Sequence, residues 1–417
     1  MIEYGLVGER LGHSFSPEIH KLIAGYRYDL IELRPEELKD FFVRKEFCAV
    51  NVTIPYKEAV IPLLDAIDDA AKEIGAVNAV VNKDGALYGY NTDCYGMMSA
   101  MLREEILPVG KKVLICGTGG TSKTAAYVAR ELGAKEVIRL SRSGKNGSAT
   151  YEEAYETHVD AGIIINTTPC GMFPDNASSA IDIAEFPYLS GVFDAVYNPL
   201  RTPLVLEAKR RGIHAAGGLY MLVSQAVRAS ELFVGRVCSK GLAERVYGDI
   251  IKQKENVVLI GMPSSGKTTV GHIVADMLGR ELVDTDEEIN KCQGKSPAKI
   301  ISEYGEERFR QIEADVIKDL SKDQGKVIAT GGGAVLRAEN VNMLRQNGRI
   351  YFLDRPLGML EATDDRPLSS DRGQLKKLYE ERIGIYSSVC DAKIDSSATP
   401  EACAVAITED FSNGRQQ

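Results

Sequence analysis

The sequence predicts an α/β fold, and three observations support this prediction. Apolar runs of strand length alternate with helical segments, as in KKVLICG before TAAYVARELG and NVVLIG before TTVGHIVADMLG. Such alternation implies parallel sheets that are covered on both faces by helices. Two of the runs lead directly into glycine-rich turns followed by helices. The chain has 417 residues, which exceeds the usual size of one domain. We therefore expect roughly two or three α/β units with separate nucleotide-binding openings.

The composition favours small-molecule substrates. The net charge is −9 and the isoelectric point is about 5.4, so there is no excess of lysine and arginine to displace counterions from a polyanion. The start MIEYGLVGER has no basic segment followed by a long apolar run, and no stretch approaches the roughly 18 apolar residues of a membrane span. We therefore expect a cytoplasmic protein that binds neither nucleic acid nor membranes.

Cysteine and histidine offer no obvious framework for disulfides or zinc. The eight cysteines include no C-x-x-C pair, and the five histidines show no paired metal spacing. Buried, reduced thiols are the expected state.

Polar residues before position 110 fall in four short motifs. GHSFSPEIH joins a strand to a helix, with Ser16 expected at the N-cap and Pro17 at the first helical position. NVTIPYKEAV places Lys57 beyond a strand-like run, while IGAVNAVV and GYNTDCYG bring Asn78 and Asp93. Taken singly, these residues are compatible with helix capping and an exposed lysine.

The first glycine-rich turn lies in ICGTGGTSKTAAYVA and resembles the dinucleotide fingerprint G-x-G-x-x-G/A. Ser122 stands where the third small residue belongs, and it is followed by Lys123 without the second glycine that a P-loop needs. The residues expected to face the dinucleotide are Gly117, Gly119, Gly120 and Thr121.

The next strand, EVIRL, ends in SRS, where an NAD-selective domain usually presents Asp or Glu to the ribose 2′-hydroxyl. Arg142, flanked by Ser141 and Ser143, suits a 2′-phosphate through charge and hydrogen bonds. The sequence therefore favours NADPH over NADH. An ordinary solvent-facing arginine on a turn is the alternative.

The second opening, GMPSSGKTTV, fills every fixed position of G-x-x-x-x-G-K-[ST] between a strand-like run and a helix. In such a loop the backbone N–H groups wrap the β-phosphate, Lys267 meets the β- and γ-phosphates, and the Thr268 hydroxyl meets Mg²⁺. The sequence thus predicts an ATP site, with nucleotide contacts from Gly261, Ser264, Ser265, Gly266, Lys267, Thr268 and Thr269.

Acidic and basic residues follow the P-loop in a fixed order. VDTDEEI places Asp284 and Asp286 at the end of a predicted strand, two apart and so on one face. One can join Thr268 in the magnesium shell, and the other can meet an incoming hydroxyl; a helix cap followed by solvated acids is the alternative. Later stretches contribute Arg310, Gly331, Gly332, Gly333, Arg366 and Arg382.

Taken together, residues from about Asn256 to Asp395 resemble the shikimate kinase family. The shared pattern is the P-loop, D-T-D, F-R-x-x-E, G-G-G, R-P-L and E-R-x-x-x-Y. The resemblance implies that Asp286 contacts the acceptor hydroxyls and that Arg310 and Arg382 pair with the acceptor carboxylate. It also implies that the triple glycine lets the backbone approach the ring and that Arg366 closes over ATP. The segment GMLEATDD departs from the family because it is short and acidic and lacks an upstream arginine.

Residues 2–245 resemble the shikimate dehydrogenase family. The motifs H-S-x-S-P, N-V-T-x-P-x-K, G-A-V-N, N-T-D-x-x-G, G-x-G-G, N-T-T-P-x-G-M, D-x-x-Y-N-P and G-G-x-x-M-L-V-x-Q-A occur in that order. The resemblance implies that Ser14 and Ser16 bind the substrate carboxylate and that Lys57 and Asp93 form the catalytic pair. The ring would be lined by Asn51, Thr53, Asn78, Asp93, Tyr197 and Gln225. The nicotinamide pocket would be shaped by Thr168, Gly218 and Met221.

These resemblances imply four segments. Residues 1–109 would form a substrate-binding domain completed by 220–246, and residues 110–219 a Rossmann-type NADP-binding domain. A linker at 247–255 would lead to a P-loop kinase domain with a parallel sheet at 256–417. We expect a bifunctional shikimate-pathway enzyme that uses NADP(H), ATP and Mg²⁺. The alternatives are a quinate/shikimate dehydrogenase that uses NAD, and a sensor in which one nucleotide site only regulates the other.

Overall fold

The computed structural model describes residues 2–12, 14–145, 147–361 and 372–414. By internal contacts the chain divides into two compact units, Met1–Gly248 and Asp249–Gln417. Both units combine strands and helices in alternation, so the predicted α/β class is confirmed.

The first six strands of the first unit build a mixed sheet. They are β1 (Ile2–Gly8), β2 (Tyr28–Glu32), β3 (Phe47–Val52), β4 (Ala66–Ile67), β5 (Ala79–Lys83) and β6 (Ala86–Tyr90). Their order across the sheet is β2-β1-β3-β5-β6-β4. The helices of this region are α1 (Ser16–Ala24), α2 (Leu38–Arg44), α3 (Asp69–Ile74) and α4 (Thr92–Arg103).

Strand β5 runs antiparallel to both of its neighbours, β3 and β6. This first sheet is therefore mixed rather than wholly parallel. The reason lies in the two-residue connection between β5 and β6, where Asp84 and Gly85 have φ values of 52° and 88°. Positive φ at both central residues suits the tight turns that join antiparallel strands.

The second sheet of this unit is parallel and begins with the strand before the dinucleotide turn. Its strands are β7 (Lys112–Cys116), β8 (Glu136–Leu140), β9 (Ile163–Asn166), β10 (Gly191–Asp194) and β11 (His214–Ala216), in the order β11-β10-β9-β7-β8. Its helices are α5 (Gly120–Glu131), α6 (Tyr151–Thr157) and α7 (Pro203–Arg210). The carboxyl ends of β7, β9 and β10 lie at one edge, where Rossmann-type folds bind their ligands.

Two further helices follow: α8 (Leu219–Val234) and α9 (Leu242–Lys254). Helix α8 packs against α4 and α1, so it returns to the region of the first sheet. The segment 247–255, expected as a linker, is helical as far as Lys254. Leu242, Val246 and Ile250 are buried and recur every fourth residue, which gives α9 an apolar stripe.

The second unit has one parallel sheet. Its strands are β12 (Asn256–Ile260), β13 (Leu282–Asp284), β14 (Val327–Ala329), β15 (Gly348–Asp354) and β16 (Ala392–Asp395), in the order β13-β14-β12-β15-β16. Its helices are α10 (Lys267–Leu278), α11 (Thr285–Gln293), α12 (Pro297–Tyr304), α13 (Glu306–Leu320), α14 (Ala338–Asn347), α15 (Arg372–Val389) and α16 (Pro400–Asn413). The P-loop connects the central strand β12 to α10, as the motif requires.

Each helix in the described part of the chain is too short or too polar to cross a membrane.

Candidate active sites

The lysine and aspartate predicted as a catalytic pair are in direct contact. Lys57 Nζ lies 2.6 Å from Asp93 Oδ2, and the two side chains are 16% and 10% exposed. Lys57 follows β3, whereas Asp93 lies in the first turn of α4. Acidic side chains are commonly found in the first turn of a helix, where the helix dipole is positive. The pair is thus a largely enclosed ion pair that still reaches solvent.

Asn78 connects this pair to two other elements. Its Nδ2 donates to Asp93 Oδ1 at 2.8 Å, and its Oδ1 accepts the Thr92 N–H at 2.6 Å. Gln225, on α8, accepts from the Thr92 hydroxyl at 3.1 Å. Asn78 therefore lies beside Asp93, and Gln225 lies beside Thr92, the residue before Asp93. Thr92 has no predicted role, although it belongs to the quoted N-T-D motif.

Asn51 extends the polar cluster toward a buried aromatic group. Its Nδ2 donates to the Asn78 carbonyl at 3.0 Å, and its Oδ1 accepts from the Tyr28 hydroxyl at 2.8 Å. His20 stacks on Tyr28 with ring centroids 3.9 Å apart, and its Nδ1 lies 2.6 Å from the Tyr26 hydroxyl. Complete burial lowers the pKa of His20 to about 3. Nothing in the sequence analysis singles out these three aromatic residues.

Thr53 stands just after β3, and its backbone N–H donates to the carbonyl of Val7 at 2.9 Å. Its side chain lies beside Gly8, where an added Cβ would come within 2.7 Å of the Thr53 methyl group. Thr53 therefore stands at the carboxyl end of β1, four residues before Lys57 in the chain.

The two serines predicted to bind a carboxylate lie together at the start of α1. The Ser16 backbone N–H donates to Ser14 Oγ at 3.2 Å. The expected N-cap role of Ser16 is wrong, because the cap is Phe15, with helical φ and ψ of −80° and −4°. Phe15 also contacts Tyr197 edge-on at 5.2 Å. Tyr197, whose pKa is raised by burial, is therefore beside the serine segment.

The dinucleotide turn has the backbone that its glycines predict. Gly117 has φ of +107°, a value that suits glycine, and Gly119 caps α5. An added Cβ at Gly119 or Gly120 would meet nothing within 4 Å, so the turn is open where a pyrophosphate would approach. Ser122 Oγ donates to the Gly119 carbonyl at 2.7 Å. Thr121 follows in the first turn of the same helix, whose N-terminus favours anions.

The turn after β8 presents Arg142 and Ser143 to solvent. Ser141 is tied into the turn instead, because its Oγ lies 2.7 Å from Ser148 Oγ and accepts the Gly144 N–H at 3.0 Å. Arg142 therefore stands on an ordered turn at the carboxyl end of the strand next to β7.

The three residues predicted around a nicotinamide lie near the ends of β9 and β11. Thr168 Oγ1 donates to Asn166 Oδ1 at 2.7 Å, and Asn166 Nδ2 donates to Asp194 Oδ1 at 2.9 Å. Burial raises the pKa of Asp194 to about 6. At Gly218 an added Cβ would lie 2.2 Å from the Ala195 carbonyl, so only glycine fits. Met221 is buried in α8.

The P-loop has positive φ at three residues: Gly261 at 150°, Ser264 at 64° and Gly266 at 90°. Lys267 Nζ donates to the Gly261 and Met262 carbonyls at 2.9 and 2.8 Å. The side chain of the lysine therefore crosses the mouth of the loop. Ser265 is anchored to the loop before α16, because its carbonyl accepts from Ser396 Oγ at 3.1 Å.

The predicted magnesium residues touch each other. Thr268 Oγ1 donates to Asp284 Oδ2 at 2.7 Å, and the Asp286 N–H donates to Asp284 Oδ1 at 2.9 Å. β13 ends at Asp284, so Asp286 lies in the first turn of α11 and the two do not share a strand face. That detail of the prediction is wrong. Both nevertheless line the same cavity, with Thr269.

This cavity has a volume of about 410 Å³ and opens beside the P-loop. Its lining includes Asp286, Arg310, Glu313 and Arg382, together with the residues Gly331 to Gly333. Arg366 lies outside the described residues.

Two carboxylates hold Arg310 in the cavity wall. Its Nη1 donates to Glu313 at 2.8 Å and its Nη2 donates to Glu306 at 3.0 Å. Burial raises the pKa of Glu313, although the Arg310 charge opposes this. At Gly333 an added Cβ would lie 2.1 Å from an Arg310 nitrogen, so the arginine packs against the glycine backbone. The sequence contains the signal for both acids, because they stand four before and three after Arg310.

Arg382 and Tyr386 meet the triple glycine from the other side. Both bond to the Gly332 carbonyl, and the Arg382 Nη1 distance is 3.2 Å. The Gly331 N–H donates to Thr285 Oγ1 at 2.8 Å. The triple glycine is thus fixed between α11 and α15, and Thr285 and Tyr386 are functional neighbours that the sequence analysis did not assign.

The fold and the sites together define a class of protein. A parallel sheet with an open dinucleotide turn and an enclosed lysine–aspartate pair is the arrangement of a pyridine-nucleotide oxidoreductase. A P-loop with adjacent acids and a two-arginine cavity is the arrangement of a phosphotransferase that acts on a small anionic acceptor.

Comparison with known proteins agrees with both halves. The shikimate dehydrogenase substrate binding domain family matches residues 6–80, and the shikimate kinase family matches residues 263–412. The shikimate dehydrogenase (NADP(+)) of Clostridium perfringens is 36% identical over 269 residues, which cover 59% of this chain and 97% of that protein. The chain therefore belongs to the shikimate dehydrogenase family and carries a shikimate kinase domain after that region.

Solved structures resemble the first unit. A chorismate mutase/shikimate 5-dehydrogenase fusion protein from Clostridium acetobutylicum has a TM-score of 0.57 and 31% identity over 60% of this chain and 97% of that one. A shikimate 5-dehydrogenase from Thermus thermophilus, solved with NADP(H) and shikimate, has a TM-score of 0.53 and 30% identity over 59% and 98%. The chain is an oxidoreductase that uses NADP and a kinase that uses ATP, both of the shikimate pathway.

Proposed function

We propose that the first unit reduces 3-dehydroshikimate to shikimate with NADPH, and that the second unit transfers the γ-phosphoryl group of MgATP to the shikimate 3-hydroxyl. The observation that carries this proposal is the presence of two complete reactive sets in one chain. The Lys57–Asp93 pair serves the first step, and the P-loop with the Arg310 cavity serves the second.

In the proposed reduction, bound NADPH supplies a hydride to the ketone carbon. Negative charge then grows on the ketone oxygen, and Lys57 stabilises this charge and donates a proton to it. Asp93 holds the ammonium group at 2.6 Å, and Asn78 fixes the other carboxylate oxygen at 2.8 Å. Ser14 and Ser16 bind the carboxylate of the substrate, and Tyr197 and Gln225 meet its ring hydroxyls.

The arrangement of the dinucleotide turn fits NADPH. The N-terminus of α5 and the open space at Gly119 and Gly120 leave room for the pyrophosphate. Arg142 is exposed on the turn after β8, where a 2′-phosphate would gain a charge-assisted bond. This arginine speaks against the alternative in which a quinate-type substrate is oxidised with NAD.

In the proposed phosphoryl transfer, Arg310 and Arg382 bind the carboxylate of the acceptor, and Asp286 orients and deprotonates the acceptor hydroxyl. Lys267 neutralises charge on the transferred group. Because Glu306 and Glu313 already fix Arg310, its guanidinium is preorganised for the acceptor rather than free to rotate. The backbone of Gly331 to Gly333 allows close approach of the ring.

The residues present fit a magnesium ion. Thr268 Oγ1 and the Asp284 carboxylate are oxygen donors 2.7 Å apart beside the P-loop. Among the residues the structure describes, no cluster of three or more histidine, cysteine or acidic side chains could hold a metal. The Thr268–Asp284 pair suits Mg²⁺, which takes one or two protein ligands and completes its shell with phosphate oxygens and water. Bound there, it would neutralise the phosphate charge.

A coupled assay tests the proposal. The intact chain, supplied with 3-dehydroshikimate, NADPH and MgATP, should make shikimate 3-phosphate without added enzyme. Lys57→Ala should lower the reductase turnover at least about a hundredfold and leave the kinase unchanged, because it removes a positioned proton donor. Asp286→Asn should lower phosphoryl transfer while ATP affinity holds, with exposed Glu287→Gln as the matched control.

Three results would contradict the proposal. If quinate with NAD is the preferred pair, the reductase assignment is wrong. If the kinase unit binds ATP without phosphorylating shikimate, that unit regulates rather than catalyses. Equal loss of both activities in Lys57→Ala would make this lysine structural.

A further inference from the structure

An ion pair joins the dinucleotide helix to the loop that carries the catalytic lysine. Lys123 Nζ lies 2.8 Å from Glu58 Oε2, and the two side chains are 34% and 53% exposed. Lys123 stands in the first turn of α5, directly after the fingerprint serine, while Glu58 is the residue after Lys57. The pair therefore links the two sheets of the first unit beside the proposed site of hydride transfer.

The backbone around Glu58 is fixed independently of this pair. The Lys57 carbonyl accepts the Val77 N–H at 2.8 Å, and the Glu58 carbonyl accepts the Ile61 N–H at 3.2 Å. Tyr56 and Val60 are buried on either side. Because the main chain is held, the loop does not depend on Lys123 for its path. What Lys123 controls is the direction of the Glu58 carboxylate.

We propose that Lys123 is a positioning residue for the reductase, because it holds the Glu58 carboxylate away from the Lys57 ammonium group. The inference rests on the proposed function of the first unit. Lys57 has Asp93 as its partner at 2.6 Å, and Glu58 is a second acid next to it in the chain. A carboxylate near an ammonium group attracts it, and between partly exposed groups this attraction is modest. Lys123 neutralises the competitor and leaves Lys57 on Asp93.

This role predicts an asymmetry between the two partners. Removing the Lys123 charge frees Glu58 to compete for Lys57, so the reductase should slow. Removing the Glu58 charge eliminates the competitor itself, so the reductase should be nearly unaffected. A pair that only stabilised the fold would lose the same ion pair in both cases and would show equal effects.

The test compares Lys123→Gln, Glu58→Gln and the double variant in the full chain. Lys123→Gln should lower the reductase kcat by roughly three- to fivefold, the upper part of the range of an exposed charge pair, with the KM for NADPH unchanged. The reductase kcat of Glu58→Gln should stay within about twofold of the wild-type value. The kcat of the double variant should do the same, because it also lacks the Glu58 charge that would compete for Lys57. Rescue of Lys123→Gln by Glu58→Gln is the decisive result.

Lys112→Gln is the matched control. Lys112 pairs with Asp160 at 2.8 Å at the start of β7, the opposite end of the strand from the dinucleotide turn. Its loss should not change the reductase, and none of these variants should change the kinase.

Two outcomes would overturn the inference. A raised KM for NADPH in Lys123→Gln that Glu58→Gln does not rescue would make Lys123 a cofactor ligand instead. Equal loss in both single variants would make the pair merely structural. If the unaltered chain reduces no 3-dehydroshikimate at all, the proposed function itself is wrong. If the unaltered chain is active but the two single variants lose the same activity, only the role of Lys123 is wrong.

Discussion

Arg142 is the side chain on which the choice between the two pyridine nucleotides depends. It lies exposed on the turn after β8, between a serine tied into the turn and an exposed serine. Arg142→Ala should raise the KM for NADPH about 10- to 150-fold over its effect on NADH, because a charge-assisted bond contributes roughly 1.5 to 3 kcal/mol. Steady-state kinetics with both cofactors measure this, with exposed Arg130→Ala as the control. Parallel changes in both constants would exclude Arg142 as the 2′-phosphate ligand.

His20 makes the stability of the first unit depend on pH. Burial lowers its pKa to about 3, below the value of about 6.5 in an unfolded chain. Its neutral form therefore stabilises the fold fully above pH 6.5, and this contribution is lost as the pH falls toward 3. Across that window the free energy of unfolding should fall by about 1.4 kcal/mol per pH unit from this group alone.

The measurement is hydrogen exchange of the β1 and β3 amides between pH 6.5 and 4.5. In His20→Gln, the slope of the free energy of unfolding against pH should be smaller by the equivalent of about one proton, because the variant has no titratable group at position 20. His214→Gln, on β11, is the matched control variant. An unchanged slope in His20→Gln would show that His20 binds its proton equally well in the folded and the unfolded protein.

At the scale of elements, the contact between α4 and α8 sets the spacing of the reductase site. Asp93 lies on α4 and Gln225 on α8, and Gly96 allows the two helices to approach. An added Cβ at Gly96 would lie 2.5 Å from the Met221 carbonyl and 2.9 Å from Gln225 Cβ. Relief of these contacts would require α4 or α8 to move as a whole.

Gly96→Ala should therefore push α4 from α8, destabilise the first unit by about 1 to 3 kcal/mol and slow the reductase. Gly248→Ala is the control, since a Cβ there meets nothing within 4 Å and alanine favours a helix by up to about 1 kcal/mol. Thermal unfolding and turnover measure both variants. A fully active, equally stable Gly96→Ala would show that the helices are not closely coupled.

Most elements could be predicted because their signals are local. The two glycine-rich turns need positive φ at fixed spacings, so the strand, turn and helix around Gly117 and Gly266 follow from the residues themselves. The start of α1 could not be placed as well, because Phe15 already adopts helical angles and its carbonyl accepts the Ile19 N–H at 3.0 Å. Ser16 is thus one residue too late to cap the helix.

The hydrogen bonds within the sites could not be predicted as well from the sequence. Asn78, Thr92 and Gln225 meet from three separate elements, and no local pattern encodes that meeting. The resemblance to a family supplied Asn78 and Gln225 but not Thr92. By contrast, the acids around Arg310 have helical spacing within one segment, so their role could have been read from EERFRQIE.

At the scale of the whole molecule, the position of the boundary can be tested by dividing the chain. The sequence predicts a linker at 247–255 and a kinase domain that begins at residue 256, whereas the structure divides the chain after Gly248. Arg280 donates to the carbonyls of Lys252 and Glu255, and the Gly325 N–H donates to the Lys254 carbonyl at 3.0 Å. The last turn of α9 is thus held by residues of the second unit.

Fragments 1–248 and 249–417 should therefore each keep their own activity. A kinase fragment that begins at residue 256 should melt about 5 to 10 °C lower, because Arg280 loses its acceptors and is left unsatisfied. Calorimetry of the two kinase fragments measures this. Identical melting temperatures would show that residues 249–255 contribute nothing to the second unit.

A mixture of fragments 1–248 and 249–417 should match the coupled rate of the intact chain within about twofold, since tethering alone does not retain a diffusing product. A long lag in shikimate 3-phosphate formation that appears only after division would contradict this expectation.

The helix α9 contains the boundary between the units, so every synthesis of this chain delivers the two sites in equal number. On the proposed function, a cell cannot adjust the two consecutive steps by making more of one enzyme. Below saturation, the steady-state concentration of shikimate relative to that of 3-dehydroshikimate is then set by the ratio of the two specificity constants, at any level of expression. Selection on this pathway segment would act on the relative turnover of the two sites, and variants such as Arg142→Ala would change the standing concentration of the intermediate.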